Sequence, residues 1–468
     1  MLDLLVFLLS LLKPEITAIV LVLILIINGM LYALTDLETR GVLFVFLVSF
    51  FLILVGREAL EVFGLHAIET VFKDELNRQA EWMIVISLAS LFAGYALSGF
   101  FSTKKKKIPD HRYDSPQYRA IRKVSIALFL FTFAFNVFTL IDIVLFVFRN
   151  GYLNFYTSYE SHVPYVIKKL GDMCLVCFWI FLATMPDKKS VNRASLLYII
   201  YFLLTLGTGK RFPFVAGMLT LFVYYLARNR IHNDGQVWIK KKTIILMFVL
   251  APLLFMPLYA IGQIRVGNSW NAFRVDKAIS NFLYNQGVSI NVIKRAQIYG
   301  YKLPEGRMYL FGSTYEAISN NIISRMLGFP QYTGNTVEHA RNGYSFQHAL
   351  SYIAIGSYYL GGHGLGSCYI AEAFHDLGYL GVVAVNVVYG TLFRKLFDFR
   401  RYGVWITTII IAMLNSILLA PRGSADGFIT DIVDLTTWGT ILVVSLLSEL
   451  ILRGSGYKRS YLDESDKI

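Results

Sequence analysis

Four basic residues stand at the ends of apolar segments, where a charge needs a partner. Lys210 and Arg211 lie in the sequence LGTGKRFP, Arg265 lies in GQIRVG and Arg422 lies in APRGSADG. A guanidinium group binds a phosphate through two parallel hydrogen bonds, and several around one cleft neutralise a diphosphate without a metal ion. The alternative is structural: contact with lipid headgroups, or an ion pair with one of the three aspartates between 426 and 434. We expect at least two of these residues to act together on an anionic ligand.

Acids and histidines near these positions are candidate proton acceptors. Glu372, His375 and Asp376 stand at the start of an apolar segment, where partial burial tunes a carboxyl or imidazole group as a base. Glu372 and Asp376 are four residues apart, so a helix places both on one face. His339 and His348, in VEHARNGYSFQHALSY, are rival bases. The structural alternative for each is a charge that stabilises the start of a helix.

The stretch between residues 263 and 376 is rich in tyrosine, with eleven in all. Aromatic faces beside amide and hydroxyl groups suit carbohydrate, whose C–H faces stack on rings while its hydroxyls need many hydrogen-bond partners. We expect Gln286, Tyr344 and Tyr358 to contact sugar. The alternative is a belt of aromatic residues at the membrane interface, which needs no ligand.

Glycines cluster between residues 356 and 382, in GSYYLGGHGLGSCYIAEAFHDLGYLGV. No strand precedes this run, so a nucleotide-binding loop is not indicated. Close backbone approach in a re-entrant or tightly turned segment fits better. Cys174 and Cys177 form a CxxC pair inside an apolar run, and with Cys368 they are predicted to pack as inert thiols. No metal site and no cofactor are implied.

These residues belong to a chain that is 56% hydrophobic and only 16% charged, which excludes an ordinary soluble protein. Apolar runs of about 17 to 25 residues each cross a hydrocarbon core of roughly 30 Å. We predict an all-α, polytopic integral membrane protein with about eleven transmembrane helices, or twelve if residues 2–12 add one. The predicted spans lie near 15–34, 41–62, 82–101, 124–148, 169–185, 194–208, 211–228, 243–262, 377–394, 403–420 and 431–452.

The distribution of lysine and arginine orients these spans. With eleven of them, the five segments richest in basic residues all fall on one side, which is therefore predicted to be cytoplasmic; these segments are 102–123, 186–193, 228–242, 394–402 and the tail after 452. The longest stretch without a span, 263–376, then forms a large extracytoplasmic loop. It separates an N-terminal membrane domain, 1–262, from a C-terminal membrane domain and cytoplasmic tail, 377–468. Long loops in compact proteins are usually functional.

Three stretches carry a resemblance to a known family: GTGKRFPF at 207–214, NFLYNQGVSINVI at 281–293 and GHGLGSCYIAEAFHDLGYLGV at 362–382, with PRGS at 421–424 as a weaker fourth. The chain resembles the Wzy-type O-antigen and capsule polysaccharide polymerases. The resemblance implies repeat units carried on undecaprenyl diphosphate, joined at the outer face of the bacterial cytoplasmic membrane. It further implies a setting that includes the lipid bilayer, a flippase and a chain-length regulator, with no nucleic acid.

The resemblance also implies roles for the candidate residues. Arg211, Arg265 and Arg422, supported by Lys210, would bind the diphosphate, and Arg265 would act in catalysis by holding negative charge as the bond to C1 breaks. Glu372 is the first choice for the base that activates the acceptor hydroxyl, and His348 is the second. A single displacement inverts the anomeric centre, whereas a double displacement would need a nucleophilic carboxylate close to C1.

Two other functions remain open on the sequence alone. An O-antigen ligase also moves a glycan off undecaprenyl diphosphate and differs only in its acceptor. A transporter for the lipid-linked oligosaccharide belongs to another class, and transporters tend to show internal repeats and interrupted helices at matching positions. We find no such repeat, so the sequence favours an enzyme.

Overall fold

The computed structural model describes residues 2–65, 71–100, 110–231, 237–240, 242–247, 250 and 278–454. The regular structure within these ranges is helical and includes no strand, which confirms the predicted all-α class. Arg265 and most of the predicted span 243–262 lie outside the described residues, as do residues 101–109 and the tail from 455.

Within the described ranges, seven helices are long and apolar enough to cross a membrane. Each overlaps a span predicted from the sequence. Their bounds are Ile16–Leu34, Leu37–Val62, Asp74–Phe100, Pro116–Asn150, Lys188–Thr208, Tyr369–Lys395 and Leu435–Gly454. A multi-span membrane protein is therefore confirmed.

Three further helices lie where spans are predicted but are shorter or more polar: Tyr165–Ala183, Phe212–Asn229 and Val404–Ile417. Tyr165–Ala183, for example, carries Lys168, Lys169 and Asp172 in its first turns. The total of eleven spans therefore remains a prediction. Residues 2–10 form a helix of nine residues, about 14 Å long, which is too short to cross a core of roughly 30 Å.

Local sequence sets several helix ends. Ser115 accepts a hydrogen bond from the amide of Tyr118, and Pro116 follows as the first helical residue of Pro116–Asn150. The predicted break between residues 208 and 211 is confirmed, because Gly209 adopts φ +76° between two helices. A left-handed residue at that point ends a helix, and glycine adopts it without a steric penalty.

Two glycines bring the helices Asp74–Phe100 and Tyr369–Lys395 into direct backbone contact. A methyl group on Gly94 would overlap the carbonyl of Val387, and one on Gly390 would overlap the carbonyl of Leu91. Small residues allow close approach of membrane helices, where dispersion contacts rather than the hydrophobic effect drive association. This contact fixes the helix that carries Glu372.

The helix Tyr369–Lys395 is kinked at Gly378, where φ is +60° and ψ is −148°. The kink separates a first segment, with Glu372, His375 and Asp376, from the apolar remainder. The predicted span begins at 377, so the sequence located the boundary but not the helix that precedes it.

Seven short helices pack between the long helices at the end of the bundle that we call the loop end. They belong to the region predicted to be the large extracytoplasmic loop, and the predicted boundary at 262/263 itself lies outside the described residues. Their bounds are Ala278–Gln286, Ile290–Tyr299, Gly312–Ser319, Ile322–Met326, Val337–Asn342, Phe346–Ile355 and Ser357–Leu360.

The opposite end, which we call the basic end, brings together four of the five basic segments. Arg122 donates to the carbonyls of Tyr113 and Thr184. Lys188 donates to the carbonyl of Val237 at 2.8 Å, and Arg230 lies 3.8 Å from Asp398. The described parts of these segments therefore share one side of the bundle, as the charge distribution predicts.

Candidate functional site

The helix Gly312–Ser319 connects the parts of the loop end that carry candidate residues. Its first turn contacts the segment after Arg422: the hydroxyls of Ser313 and Ser424 are 2.6 Å apart, and the amide of Thr314 donates to Asp426 at 2.6 Å. Glu316, two residues after Thr314 in the same helix, contacts His339, which stacks on His348. One short helix thus links the turn of Arg422 to two histidines.

Glu372 also forms a hydrogen bond to the turn that contains Arg422 and Ala425. One carboxylate oxygen accepts a hydrogen bond from the Ser367 hydroxyl at 2.6 Å, and the other accepts from the amide of Ala425 at 2.7 Å. The residue is only 1% exposed. This carboxylate is therefore committed to fixing the backbone three residues after Arg422.

His339 and His348 stack face to face, with ring centroids 3.8 Å apart. The Nε2 atom of His339 lies 3.2 Å from Glu316, and its Nδ1 atom lies 2.9 Å from the carbonyl of Gly334. Glu316 also accepts from the amides of Tyr344 and Ser345 at 2.8 and 2.9 Å. Burial works to raise the pKa of Glu316, but these bonds, with His339 first, outweigh it and lower that pKa.

His348 lies on the far side of this stack. Its Nδ1 atom is 2.9 Å from the hydroxyl of Tyr359, which donates to the carbonyl of Thr336. While Tyr359 donates to Thr336, its oxygen can accept from Nδ1 of His348, and this tautomer leaves the lone pair on Nε2. Burial, together with neighbouring His339, lowers the pKa of His348 to about 4. The ring is a neutral base at neutral pH.

Lys210 contacts two aromatic rings of a segment that is hydrogen-bonded to the region of the histidines. Its ammonium group is 3.9 Å from the ring centre of Phe155 and 5.2 Å from that of Tyr156. The carbonyl of Tyr156 accepts from the amide of Asn335, which directly precedes Thr336. Burial lowers the pKa of Lys210 to about 8. An anion bound here would raise that pKa again.

Arg211 and Arg422 both lie at the loop end. Arg211 directly precedes one of two antiparallel helices, and Arg422 follows the end of the other. The helices Phe212–Asn229 and Val404–Ile417 touch where Thr220 donates to Asn415 at 3.0 Å. Towards the basic end, the ring of Tyr224 lies 6.2 Å from that of Phe399, which is five residues before Val404. Arg211 and Arg422 lie at the opposite ends of these two helices from that contact. Both arginines are half-buried.

The remaining candidates take different positions. Asp376 accepts from the amide of Leu310 at 2.6 Å, and the ring of His375 lies 5.3 Å from that of Tyr309. Tyr344 is half-buried, with its ring 3.8 Å from that of Tyr315, and Tyr358 is 70% exposed.

For two predicted site residues, the structure describes no contact with the groups above. Gln286 is half-buried at the end of its helix, and Arg265 lies outside the described residues.

Sequence reasoning missed Glu316, Ser367 and Tyr359. The one signal for Glu316 is that it is the only charged residue in GSTYEAIS. It also missed a buried ion pair between Lys294 and Glu58, 2.6 Å apart, that ties the loop region to the bundle. Across the described ranges there is no group of three or more His, Cys, Asp or Glu side chains placed to hold a metal ion.

These features define an integral membrane protein with a polar cluster of cationic, carboxylate and imidazole groups at one end. Compared with known families, the chain matches the O-antigen polysaccharide polymerases, Wzy, over residues 2–454. The chain belongs to this family. It is therefore a membrane polymerase of the glycosyltransferase type, acting on lipid-linked oligosaccharides. Neither the curated proteins nor the solved structures yield a match.

Proposed function

We propose that this protein polymerises undecaprenyl-diphosphate-linked repeat units into O-antigen or capsular polysaccharide at the outer face of the bacterial cytoplasmic membrane. The observation that carries the proposal is the link, through the helix Gly312–Ser319, between the turn of Arg422 and the histidine pair. A cationic segment and a neutral base beside it are the two groups that displacement of a diphosphate requires.

In the proposed reaction, the acceptor hydroxyl of one lipid-linked unit attacks C1 of the donor glycan. The new C1–O bond forms as the bond from C1 to the diphosphate oxygen breaks, and the electron pair leaves with undecaprenyl diphosphate. Lys210, Arg211, Arg265 and Arg422 hold the developing negative charge, and the acceptor proton passes to a base. The displacement inverts C1 and uses neither a metal nor a cofactor.

Of the two candidate bases, the geometry favours His348. Its Nε2 atom carries a lone pair, and the ring is half-buried rather than enclosed. Glu372 is fully buried with both carboxylate oxygens accepting hydrogen bonds, so we assign it the positioning of the Arg422 turn. Tyr344, Tyr358 and Gln286 remain our proposal for sugar contacts.

An apolar groove near Lys210 is our proposed site for the part of the polyprenyl chain next to the diphosphate. A cavity of about 320 Å³ is lined by Leu140, Ile141, Val144, Leu203, Leu204 and Gly207. Gly207 is three residues before Lys210, so a chain in the groove would bring its diphosphate to that lysine. The proposal also includes the domains 1–262, 263–376 and 377–468, with a flippase and a chain-length regulator as partners.

The test uses purified protein in nanodiscs with a lipid-linked repeat unit as the sole substrate and EDTA present. A ladder of longer glycans on lipid is expected. Arg211→Ala and Arg422→Ala should each abolish the ladder, while Arg453→Ala, whose exposed side chain pairs with Glu449 at the basic end, should not. Product formed only after addition of a lipid A core acceptor would identify a ligase instead, and full activity in both arginine variants would refute the diphosphate assignment.

A further inference from the structure

A second cationic cavity lies at the basic end, remote from the candidate site. It has a volume of about 160 Å³, and its lining includes Arg40, Arg230, Arg394 and Arg401. Arg394 and Glu372 belong to the same helix, 22 residues apart, which corresponds to about 33 Å along a helix axis. A ligand in this cavity cannot touch the groups at the loop end.

Among the described residues that line this cavity, positive charges outnumber negative ones. Asp398 is the one acid among the lining residues, against four arginines. Its carboxylate lies 3.1 Å from Arg401 and 3.8 Å from Arg230, and Arg400, just outside the lining, is 3.5 Å away. Burial acts to raise the pKa of Asp398, yet the guanidinium groups outweigh it and lower that pKa. A second carboxylate, Asp36, lies beside the cavity and accepts from the hydroxyl of the lining residue Thr39 at 2.5 Å. Two carboxylates against four lining arginines still leave a positive excess.

The other two arginines are held in place by backbone and aromatic contacts. Arg40 donates to the carbonyl of Tyr32 at 2.8 Å, and its guanidinium lies 3.8 Å from the centre of that ring. Arg394 donates to the carbonyl of Tyr95 at 3.2 Å. Each guanidinium has five N–H donors, and the hydrogen bonds that the structure describes use a minority of them. The cavity therefore presents oriented donors to a ligand.

The bias of basic residues towards one membrane side explains why arginines occur here but not why they converge. The four come from three separate segments of the chain, since Arg394 and Arg401 belong to the same one, and like charges brought together repel one another. Arg453, by contrast, follows the same bias and is satisfied by an ion pair with Glu449 at 2.6 Å. Within the described part of the chain, four converging arginines outnumber the acids beside them, Asp398 and Asp36, and this excess indicates a bound anion.

Apolar side chains around the cavity indicate where that anion comes from. Leu31, Leu34, Leu97 and Phe100 are all exposed, with Phe100 at 84%. They belong to the same helix ends as Tyr32 and Tyr95, which line the cavity. Exposed apolar residues on helices of this kind face acyl chains, so the cavity lies at the level of the headgroups.

We propose that this cavity binds the phosphate group of an anionic lipid in the adjacent leaflet. A phosphodiester oxygen bound between Arg40 and Arg394 would neutralise the excess charge, while the acyl chains would pack against the four apolar side chains. The site joins the helix Leu37–Val62 to the helix Tyr369–Lys395, so lipid bound here would stabilise their contact.

The test measures binding of short-chain phosphatidylglycerol to the purified protein in a neutral detergent, by thermophoresis and by the shift in the midpoint of thermal unfolding. Inorganic phosphate is titrated separately, and phosphatidylcholine serves as the zwitterionic comparison. The variant is Arg40→Gln/Arg394→Gln. The matched control is Arg193→Gln/Arg453→Gln, which removes two exposed charges from segments of the basic end.

We expect the Arg40→Gln/Arg394→Gln variant to bind phosphatidylglycerol at least about tenfold more weakly, and the control to bind as the wild type does. Gly99→Ala is a second variant that keeps every charge: its methyl group would overlap the guanidinium of Arg394 and should also weaken binding. Binding of inorganic phosphate alone, lost in the same variants, would identify a soluble phosphate as the ligand. Equal affinity in variant and control, or no binding of either probe, would overturn the proposal.

Discussion

The neutral state of His348 gives the first prediction at the scale of single residues. If it is the base, His348→Ala should reduce the turnover rate about 10²- to 10⁴-fold, the range that a positioned general base contributes. The measurement is the initial rate of glycan ladder formation with the lipid-linked unit. His363→Ala is the matched control, because His363 is an exposed histidine of the same loop region, and it should keep most of its activity.

The pH dependence of the same residue is a separate prediction. The pKa of His348 in the folded protein is about 4, below the ordinary value of about 6.5. The base is thus unprotonated above pH 4, so the rate should stay level as pH falls from 8 to 5 and decline towards 4. The unfolded state binds the proton more readily between pH 6.5 and 4, so stability should also fall across that interval. A rate that already declines near pH 6.5 would contradict the assignment.

Glu372→Gln separates a positioning residue from a base. Glutamine keeps one acceptor oxygen for the Ala425 amide, and its NH2 group donates to the Ser367 hydroxyl, so both neighbours keep a hydrogen bond. If Glu372 positions the Arg422 turn, Glu372→Gln should therefore keep most of its activity and stability. Glu372→Leu leaves both neighbours without a partner, and an unsatisfied buried group costs about 1–3 kcal/mol, so the free energy of unfolding should fall together with activity. Lost activity at unchanged stability in Glu372→Gln would instead indicate that Glu372 is the base.

Residue types identified some members of the site but not their partners. Arg211 and Arg422 stood out in the sequence because they adjoin apolar runs, and His348 stood out as a histidine of the predicted loop. The bonds from Glu372 to Ala425 and from Glu316 to His339 span 53 and 23 residues. Sequence spacing carries no signal for such pairs, because the helical period relates only residues within a few turns.

At the scale of elements, the close contact of two long helices is testable through its glycines. Gly94→Ala places a methyl group against the backbone of Val387, which the neighbouring helix can accommodate only by moving away. Overpacking of this kind costs about 1–3 kcal/mol, so the midpoint of thermal unfolding in detergent should fall. Gly439→Ala, with nothing within 4 Å of the added methyl group, is the control and should be neutral or slightly stabilising. An unchanged midpoint for Gly94→Ala would show that the helices are not in this contact.

Apolar runs predicted the positions of the helices better than their ends. The predicted span 15–34 corresponds to Pro14–Leu34, and 194–208 with 211–228 correspond to two helices separated by Gly209. The helix Tyr369–Lys395, however, begins eight residues before the predicted span, because its first segment carries Glu372 and Asp376, which accept hydrogen bonds from the amides of Ala425 and Leu310. Hydropathy detects what contacts lipid and not what contacts other protein segments.

In the molecule as a whole, the cationic groups at the two ends of the bundle have different neighbours and therefore suit different functions. Arginine at the loop end accompanies a neutral histidine and a buried carboxylate, which suits chemistry on an anionic substrate. Arginine at the basic end converges on a cavity with one acid and no histidine among its lining residues, which suits binding alone. Net charge, at +13, does not separate these tasks, but the position of each arginine along the bundle does.

This division predicts opposite accessibility of the two ends across a membrane. Cys174, Cys177 and Cys368 are buried, with exposed fractions of 1%, 0% and 0%, so the wild type should react little with a membrane-impermeant maleimide. Tyr301→Cys introduces a thiol at a position of the loop end that is 79% exposed, and Arg453→Cys introduces one at the exposed basic end. In sealed right-side-out vesicles, Tyr301→Cys should be labelled at once, whereas Arg453→Cys should be labelled only after permeabilisation. Because the sugar chemistry is proposed for the outer face, labelling in the reverse order would place the candidate site on the wrong side of the membrane and refute the proposed function.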